Sequence, residues 1–264
     1  MSEAPDLVWR RIPGSSRMLV HPDSGRGALP LRALGGASDW RRQLADRFGF
    51  AALAVLGARR LPPGPTLAWP DATHRQLSVA LRSALPGFRL LGAVTPRQHG
   101  RARMSLLGRM AGNVVVVKLG AADERLERER RALELLAVDP LPGIATPTPI
   151  AAGALDLAGE PLTYLATSAV AVRKQWPAID APLRTFESDL GERLAALPKP
   201  SHAAADDVPI HGDLTPWNLR RTSHGLALFD WEEAGWGSPG SDLETYRRAS
   251  SEVRPWWSRA GATS

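Results

Sequence analysis

Residues 208–244, VPIHGDLTPWNLRRTSHGLALFDWEEAGWGSPGSDLE, bring His211, Asp213, Asn218 and Asp230 into one short span. Asp213 and Asn218 stand in the spacing D-x-x-x-x-N, preceded by His211 in H-G-D. NLRRTSHGLALFD then alternates as a strand, a Ser-His-Gly turn and a second strand that ends at Asp230. Folded as a hairpin, this segment puts Asn218 and Asp230 near its open end, on the same side as Asp213. Two hard-oxygen donors would then lie beside a separate carboxylate. Such donors suit Mg²⁺, which keeps waters and takes its remaining ligands from substrate phosphates. The carboxylate left over can orient a hydroxyl and accept its proton. Phosphoryl transfer needs little beyond positioning and charge neutralisation, so that is the chemistry this set fits.

The elements that must position these groups are legible upstream. FRLLGAV (88–94), RARMSLLGR (101–109) and NVVVVKLG (113–120) read as three strands, the last entered through the turn AGN. AADERLERERRALELLAV follows with Leu126, Leu133 and Leu136 at helical spacing, stopped by DPLPG. TPTPIAAGALDLAGEPLTYLATSAV reads as strands joined by turns, and APLRTFESDLGERLAALP as an amphipathic helix. Ahead of all this, SDWRRQLADRFGFAALAVLG reads as a helix with Ser38 as its N-cap. LPPGP at 61–65 marks a loop, and DATHRQLSVALRSAL reads as a second helix. Within the first of these, FGFAALAVLGARR is expected to be a buried helix or strand. The order of elements predicts an α+β chain in two lobes. The expected parts are an N-terminal extension over 1–85, a nucleotide-binding lobe over 86–170 and a catalytic lobe over 171–264.

Lys118 ends a run of four valines and is one of only three lysines in the chain, with Lys174 and Lys199. A β-branched run of this kind is usually buried, and a buried ammonium needs a partner. The helix after it offers Glu124, Glu127, Glu129 and Glu134.

HGDLTPWN followed by LFDWEEAGWGSPGSDL resembles the catalytic segment of the aminoglycoside phosphotransferase and choline kinase family, which has a protein-kinase-like fold. The resemblance is specific over 208–244, weaker over 88–207 and nearly absent over 1–85. It implies an ATP- or GTP-dependent, Mg²⁺-dependent small-molecule kinase that phosphorylates a hydroxyl of a small or glycan-like acceptor. Asp213 would face the acceptor hydroxyl, and Asn218 and Asp230 would hold Mg²⁺. His211 would buttress the loop, and Asp242 in SPGSDL would be the scaffold residue that ties it down. Lys118 would reach the nucleotide phosphates with Glu129 as its partner, and Glu127 competes for that place because helix phase is not fixed by sequence. TPRQHGRAR lacks a full glycine pattern, but backbone amides at Gln98, His99, Gly100 and Arg101 could cover the phosphates, with Arg101 or Arg103 adding charge. The adenine-binding hinge would fall near 164–171. Relative to the family, the helical tail after Asp242 looks shortened, so the N-terminal segment or another subunit in a homo-oligomer would complete the acceptor wall. The alternative is a kinase-fold nucleotide-binding regulatory module without acceptor turnover.

Composition narrows the remaining classes. The chain has no cysteine, which excludes disulfides and thiolate metal sites, and no apolar run long enough to span a bilayer. A cytoplasmic location is the default expectation. The net charge of +6 lies wholly in the first third: residues 1–85 hold 12 Arg against 6 Asp or Glu, and the rest is balanced. Such a bias can attract anionic surfaces, but there is no dense basic run and a nucleic-acid partner is not expected. His99 and His224 read as turn residues. The tryptophans read as core, with Trp236 the exception to watch, and Glu232 with Glu233 as either a solvated pair or a lure for a cationic substrate.

Overall fold

The computed structural model describes residues 9–13, 15, 18–34, 40–64, 74–94, 103–121, 124–171, 174–178 and 181–261. Ser38 and the expected phosphate loop, Gln98 to Arg101, lie outside them. The chain divides into two compact units, residues 1–123 with 150–169, and residues 124–149 with 170–264. No described helix is long and apolar enough to cross a membrane.

The first unit is built on a seven-stranded sheet. Its strands are β1 (Arg10–Arg11), β2 (Met18–Val20), β3 (Arg89–Val94), β4 (Arg103–Met110), β5 (Asn113–Ala121), β7 (Pro149–Leu157) and β8 (Glu160–Ser168), in the order β1-β2-β3-β4-β5-β8-β7. The hairpin β4–β5 runs in full register from Arg103↔Gly120 to Met110↔Asn113, turning at Ala111 and Gly112, both with positive φ. Two helices, α1 (Trp40–Leu56) and α2 (His74–Ala84), cover opposite faces. Period-two alternation in β5 explains how one strand serves both. Val115, Val117 and Leu119 point into a core with Leu77 and Leu81 of α2 and Leu85 just after it, while Val114 and Val116 pack toward Phe50 and Leu53 of α1. The residues before 85 therefore contribute strands and both helices to this one sheet unit.

The second unit holds α3 (Glu124–Val138), β6 (Ile144–Ala145), β9 (Lys174–Pro177), α4 (Phe186–Arg193), β10 (Val208–Ile210), β11 (Leu219–Arg221), β12 (Leu226–Leu228), β13 (Gly235–Gly237) and α5 (Ser241–Gly261). A four-stranded sheet has the order β6-β12-β11-β9, and β10 pairs with β13. The helix expected over 181–198 is shorter, because Pro182 disfavours helix at Ala181 and Pro198 does the same at Leu197. The α+β class holds; the short strands β9, β10 and β13 are additions to the sequence reading.

Candidate functional site

The site segment is closed at its base before any side chain is considered. β10 and β13 pair antiparallel, Val208 with Gly237 and Ile210 with Gly235, so residues 211–234 leave and return at one place. Inside that loop β11 and β12 form the expected hairpin, Leu219↔Leu228 to Arg221↔Leu226. Leu219, Leu226, Ala227 and Leu228 are all buried, which anchors the hairpin by its apolar positions. The Phe229 amide donates to the Asn218 carbonyl at 3.0 Å, one step beyond the paired strands. Asn218 and Asp230 therefore flank the open end, on chain segments held in register.

Asp213 is brought to the same end by its own contact. Asn218 Nδ2 donates to the Asp213 carboxylate at 2.9 Å and to the Asp213 carbonyl at 3.0 Å. With its nitrogen so engaged, the amide offers Oδ1 as its remaining acceptor. Asp230 has φ 67° and ψ 61°, left-handed for a residue that is not glycine, at a cost of about 1 kcal/mol. Backbone in that region is held only where its surroundings fix it, and it clusters at working sites.

Beneath these groups lies a fully paired support. His211 is completely buried. The Asp213 amide donates to His211 Nδ1 at 3.2 Å, so the ring proton sits on Nε2, which donates to the Phe229 carbonyl at 3.1 Å. One imidazole thus ties the start of the loop to the residue before Asp230. Trp231 closes edge-on against that ring, with centroids 4.6 Å apart, and its indole N–H donates to the Leu228 carbonyl. The buried Asp242 carboxylate, at the start of α5, accepts the amides of His211 at 2.6 Å and Gly212 at 3.0 Å. Gly212 has φ 82°, and a Cβ there would collide with the Glu233 carbonyl, so no other residue fits this crossing.

Electrostatics separate the buried Asp242 and the half-buried Asp213 from ordinary carboxylates. Burial pushes Asp242 up to about 6, against the opposing pull of the amides it accepts. Asp213 is also raised, first by burial, then by the negative charges of Asp230 and Glu233, while the Asn218 amide works the other way. Glu233 is itself held by Arg125 of α3 at 3.2 Å, with Arg128 at 3.9 Å. That makes it part of the site's charge balance, a role its acidic neighbour pair in the sequence did not disclose.

The other residues singled out in the sequence fall as follows. Lys118 lies half-buried on β5, across from Ser105 and Leu165, on the face of Val114 and Val116. Glu129 is 3% exposed on the buried face of α3, with Leu126, Leu133 and Leu136. Glu127, its competitor, is bonded by Arg130 and Arg131, whose contacts hold its carboxyl down to about 2. The helix phase therefore separates the two. Trp236 is occupied: its indole N–H donates to the Leu197 carbonyl, and Lys199 Nζ lies 4.8 Å over the ring. His224 caps an exposed turn, its amide donating to Thr222 Oγ1.

A divalent cation fits the donor set at the hairpin's open end. One carboxylate and one amide oxygen are hard ligands of the number Mg²⁺ takes from protein. Among the described residues, no group of three His, Cys, Asp or Glu side chains forms an all-protein cage. Two protein ligands are compatible with the water and phosphate ligands that Mg²⁺ ordinarily keeps.

Residues 175–257 match the sequence model of the phosphotransferase enzyme family, and they include every polar group of this loop. No curated protein matches the chain. Among solved structures, the chain is similar to an aminoglycoside-3'-phosphotransferase of type VIII, with TM-score 0.44 and 21% identity over 67% of this chain and 84% of that one. It is also similar to an amicoumacin kinase in complex with AMP-PNP and Ca²⁺, with TM-score 0.48 and 10% identity over 66% and 68%. A microcompartment-associated aminopropanol kinase gives TM-score 0.44 and 13% identity over 65% and 73%. At such identity and overlap these likenesses speak to neither substrate nor activity. The family match bears out the resemblance in the segment that carries its motif.

Proposed function

We propose that the chain is a small-molecule kinase, which transfers the γ-phosphoryl group of ATP or GTP to a hydroxyl of a small or glycan-like acceptor. The observation that carries this reading is the contact of Asn218 Nδ2 with the Asp213 carboxylate at 2.9 Å, at the end of the hairpin where Asp230 also emerges. That contact supports the reading, because phosphoryl transfer asks for a proton acceptor beside hard-oxygen ligands.

In this reading Asp213 orients the acceptor hydroxyl and takes its proton as the oxygen bonds to phosphorus. The bond to the bridging oxygen breaks, and the nucleoside diphosphate leaves with that electron pair. Burial is the first cause that raises the Asp213 carboxyl, and a raised carboxyl is a better proton acceptor than an ordinary aspartate. Asn218 Oδ1 and Asp230 would hold Mg²⁺, which supplies neutralisation of the phosphate charge. His211 and Asp242 act on position alone, holding the Asp213 backbone through the loop. Lys118 is assigned to the nucleotide phosphates with Glu129 as its partner, and the amides of Gln98 to Arg101 to covering them.

A panel of sugars, amino sugars and amino alcohols, read by nucleotide consumption, tests the proposal. Turnover with at least one acceptor, dependent on Mg²⁺ and lost in Asp213→Asn and Asp230→Ala, is expected. Turnover that survives in both variants would refute the assignment.

A further inference from the structure

α1 is apolar on two sides. FGFAALAVL, residues 48–56, carries no charge, and a helix apolar all round is ordinarily buried all round. Only one side of it is. Phe50 and Leu53 are 3% and 0% exposed in the core against the sheet. On the opposite face Phe48 is 68% exposed, Val55 77% and Leu56 47%, with Ala51 also exposed between them. Positions 48, 51 and 55 recur at helical spacing, so they form a stripe rather than scattered residues. The helix is also fixed in rotation: Gly49 lies so close to Pro13 that a Cβ would overlap the Pro13 carbonyl. The stripe is thus an outward face of a locked element, and it corrects the expectation that this run is buried on every side.

Charge selects what covers it. Residues 40–60 hold five arginines, Arg41, Arg42, Arg47, Arg59 and Arg60, against the single acid Asp46. Arg59 and Arg60 follow the helix directly and are exposed, Arg59 being paired with Asp23 at 2.6 Å. A second copy of this chain, docked stripe to stripe, would bring two such basic segments together, and like charge opposes it. An anionic phospholipid surface satisfies both features at once. Its headgroups attract the arginines, its acyl boundary accepts Phe48, Val55 and Leu56, and a fluid surface needs no matching groove. We infer that α1 docks the protein on anionic membrane surfaces through the stripe Phe48–Val55–Leu56, with Arg59 and Arg60 at its rim. This places the first unit's net positive charge in use, independently of the phosphoryl-transfer reading.

The test is co-sedimentation of the full chain with vesicles of phosphatidylcholine alone and of phosphatidylcholine mixed with phosphatidylglycerol. Binding to the mixed vesicles only, falling with added salt, is expected. Phe48→Ser with Val55→Ser should lower the partition coefficient by about tenfold or more. Arg60→Glu, which leaves the apolar stripe intact, should lower it by about fivefold or more. Val79→Ser, at an exposed apolar position on α2, should leave it unchanged. Equal melting curves for all variants show that the effects belong to the surface; if the double variant does not fold, Arg60→Glu alone decides. No binding to the anionic vesicles, or binding that Arg60→Glu leaves unchanged, overturns the inference. So does a concentration-dependent dimer of the wild-type chain that Phe48→Ser dissolves, which would assign the stripe to a second copy.

Discussion

The loop of residues 211–234 and the helix α1 depart from ordinary burial in opposite directions. The loop buries His211 completely and, from the next element, Asp242 almost so. α1 leaves Phe48 and Val55 more than half exposed. Each arrangement costs stability, yet the two are supported differently. Around His211 in the loop, the polar groups are met one for one: His211 Nδ1 and Nε2, the His211 and Gly212 amides, and the Asn218 amide nitrogen all have partners within 3.2 Å. A satisfied buried network fixes one conformation, whereas a half-satisfied one is worse than an apolar core. The stripe on α1 has no such internal answer, and that is why it points outside the molecule while the loop points to chemistry within it.

The comparison is broken most severely by emptying the metal end of the hairpin. Asp230→Ala should abolish Mg²⁺-dependent nucleotide binding, measured by calorimetry with and without the cation, because it removes the only carboxylate of the proposed pair. Next in size is His211→Ala. It leaves the Phe229 carbonyl and Asp213 amide without their buried partner and opens a cavity beside Trp231, so a loss of about 3 kcal/mol is expected in denaturant unfolding.

Arg220 sharpens the contrast from inside the same unit. It lies on β11, two residues beyond Asn218, is 7% exposed, and has no hydrogen-bond or ion-pair partner among the described residues. Burial alone lowers it, to about 10. Replacing a largely buried cation with an apolar side chain of similar length relieves desolvation, so Arg220→Met should stabilise by about 1–3 kcal/mol. Destabilisation would mean the guanidinium is used by a ligand.

Asp242 gives a pH signature of smaller size. Its folded value of about 6 is raised above the ordinary carboxylate value, so the folded state binds the proton more tightly than the unfolded one. Stability from this group is therefore full at low pH and lost as pH rises toward 6, at up to about 1.4 kcal/mol per pH unit. Asp242→Asn does not titrate, so the melting temperature of wild type should rise relative to that of the variant from pH 7 to pH 5. The smallest effect belongs to α1: Phe48→Ser and Val55→Ser should each change stability by about 0.5 kcal/mol or less, since neither side chain is buried.

What the sequence disclosed follows from how local each signal is. The hairpin was legible because its apolar alternation, its Ser-His-Gly turn and its flanking Asn218 and Asp230 all lie within one short run. Lys118 stood out for the four valines before it. The phase of α3 was not legible, because it depends on which side meets the core: Glu129 is buried with Leu126 and Leu133, while Arg130 and Arg131 take Glu127. The closing pair β10–β13 was missed because three-residue strands, one with a central proline and the other with two glycines, carry no strand pattern. The two-sided apolarity of α1 was visible, but only burial shows that one side stays outside. Trp236 was flagged for its place after Asp230; its indole is instead spent on the Leu197 carbonyl.

The central claim is that one hairpin presents a proton acceptor and a metal pair to the same phosphate with separate duties, and Asp213→Asn tests it most directly. The amide keeps the shape and the neighbouring Asn218 but cannot take a proton. With any acceptor that the wild-type chain phosphorylates, the account predicts Mg²⁺–nucleotide affinity within about threefold of wild type and kcat lower by about 10²–10⁴-fold. Phosphoryl transfer at the wild-type rate in Asp213→Asn would contradict it.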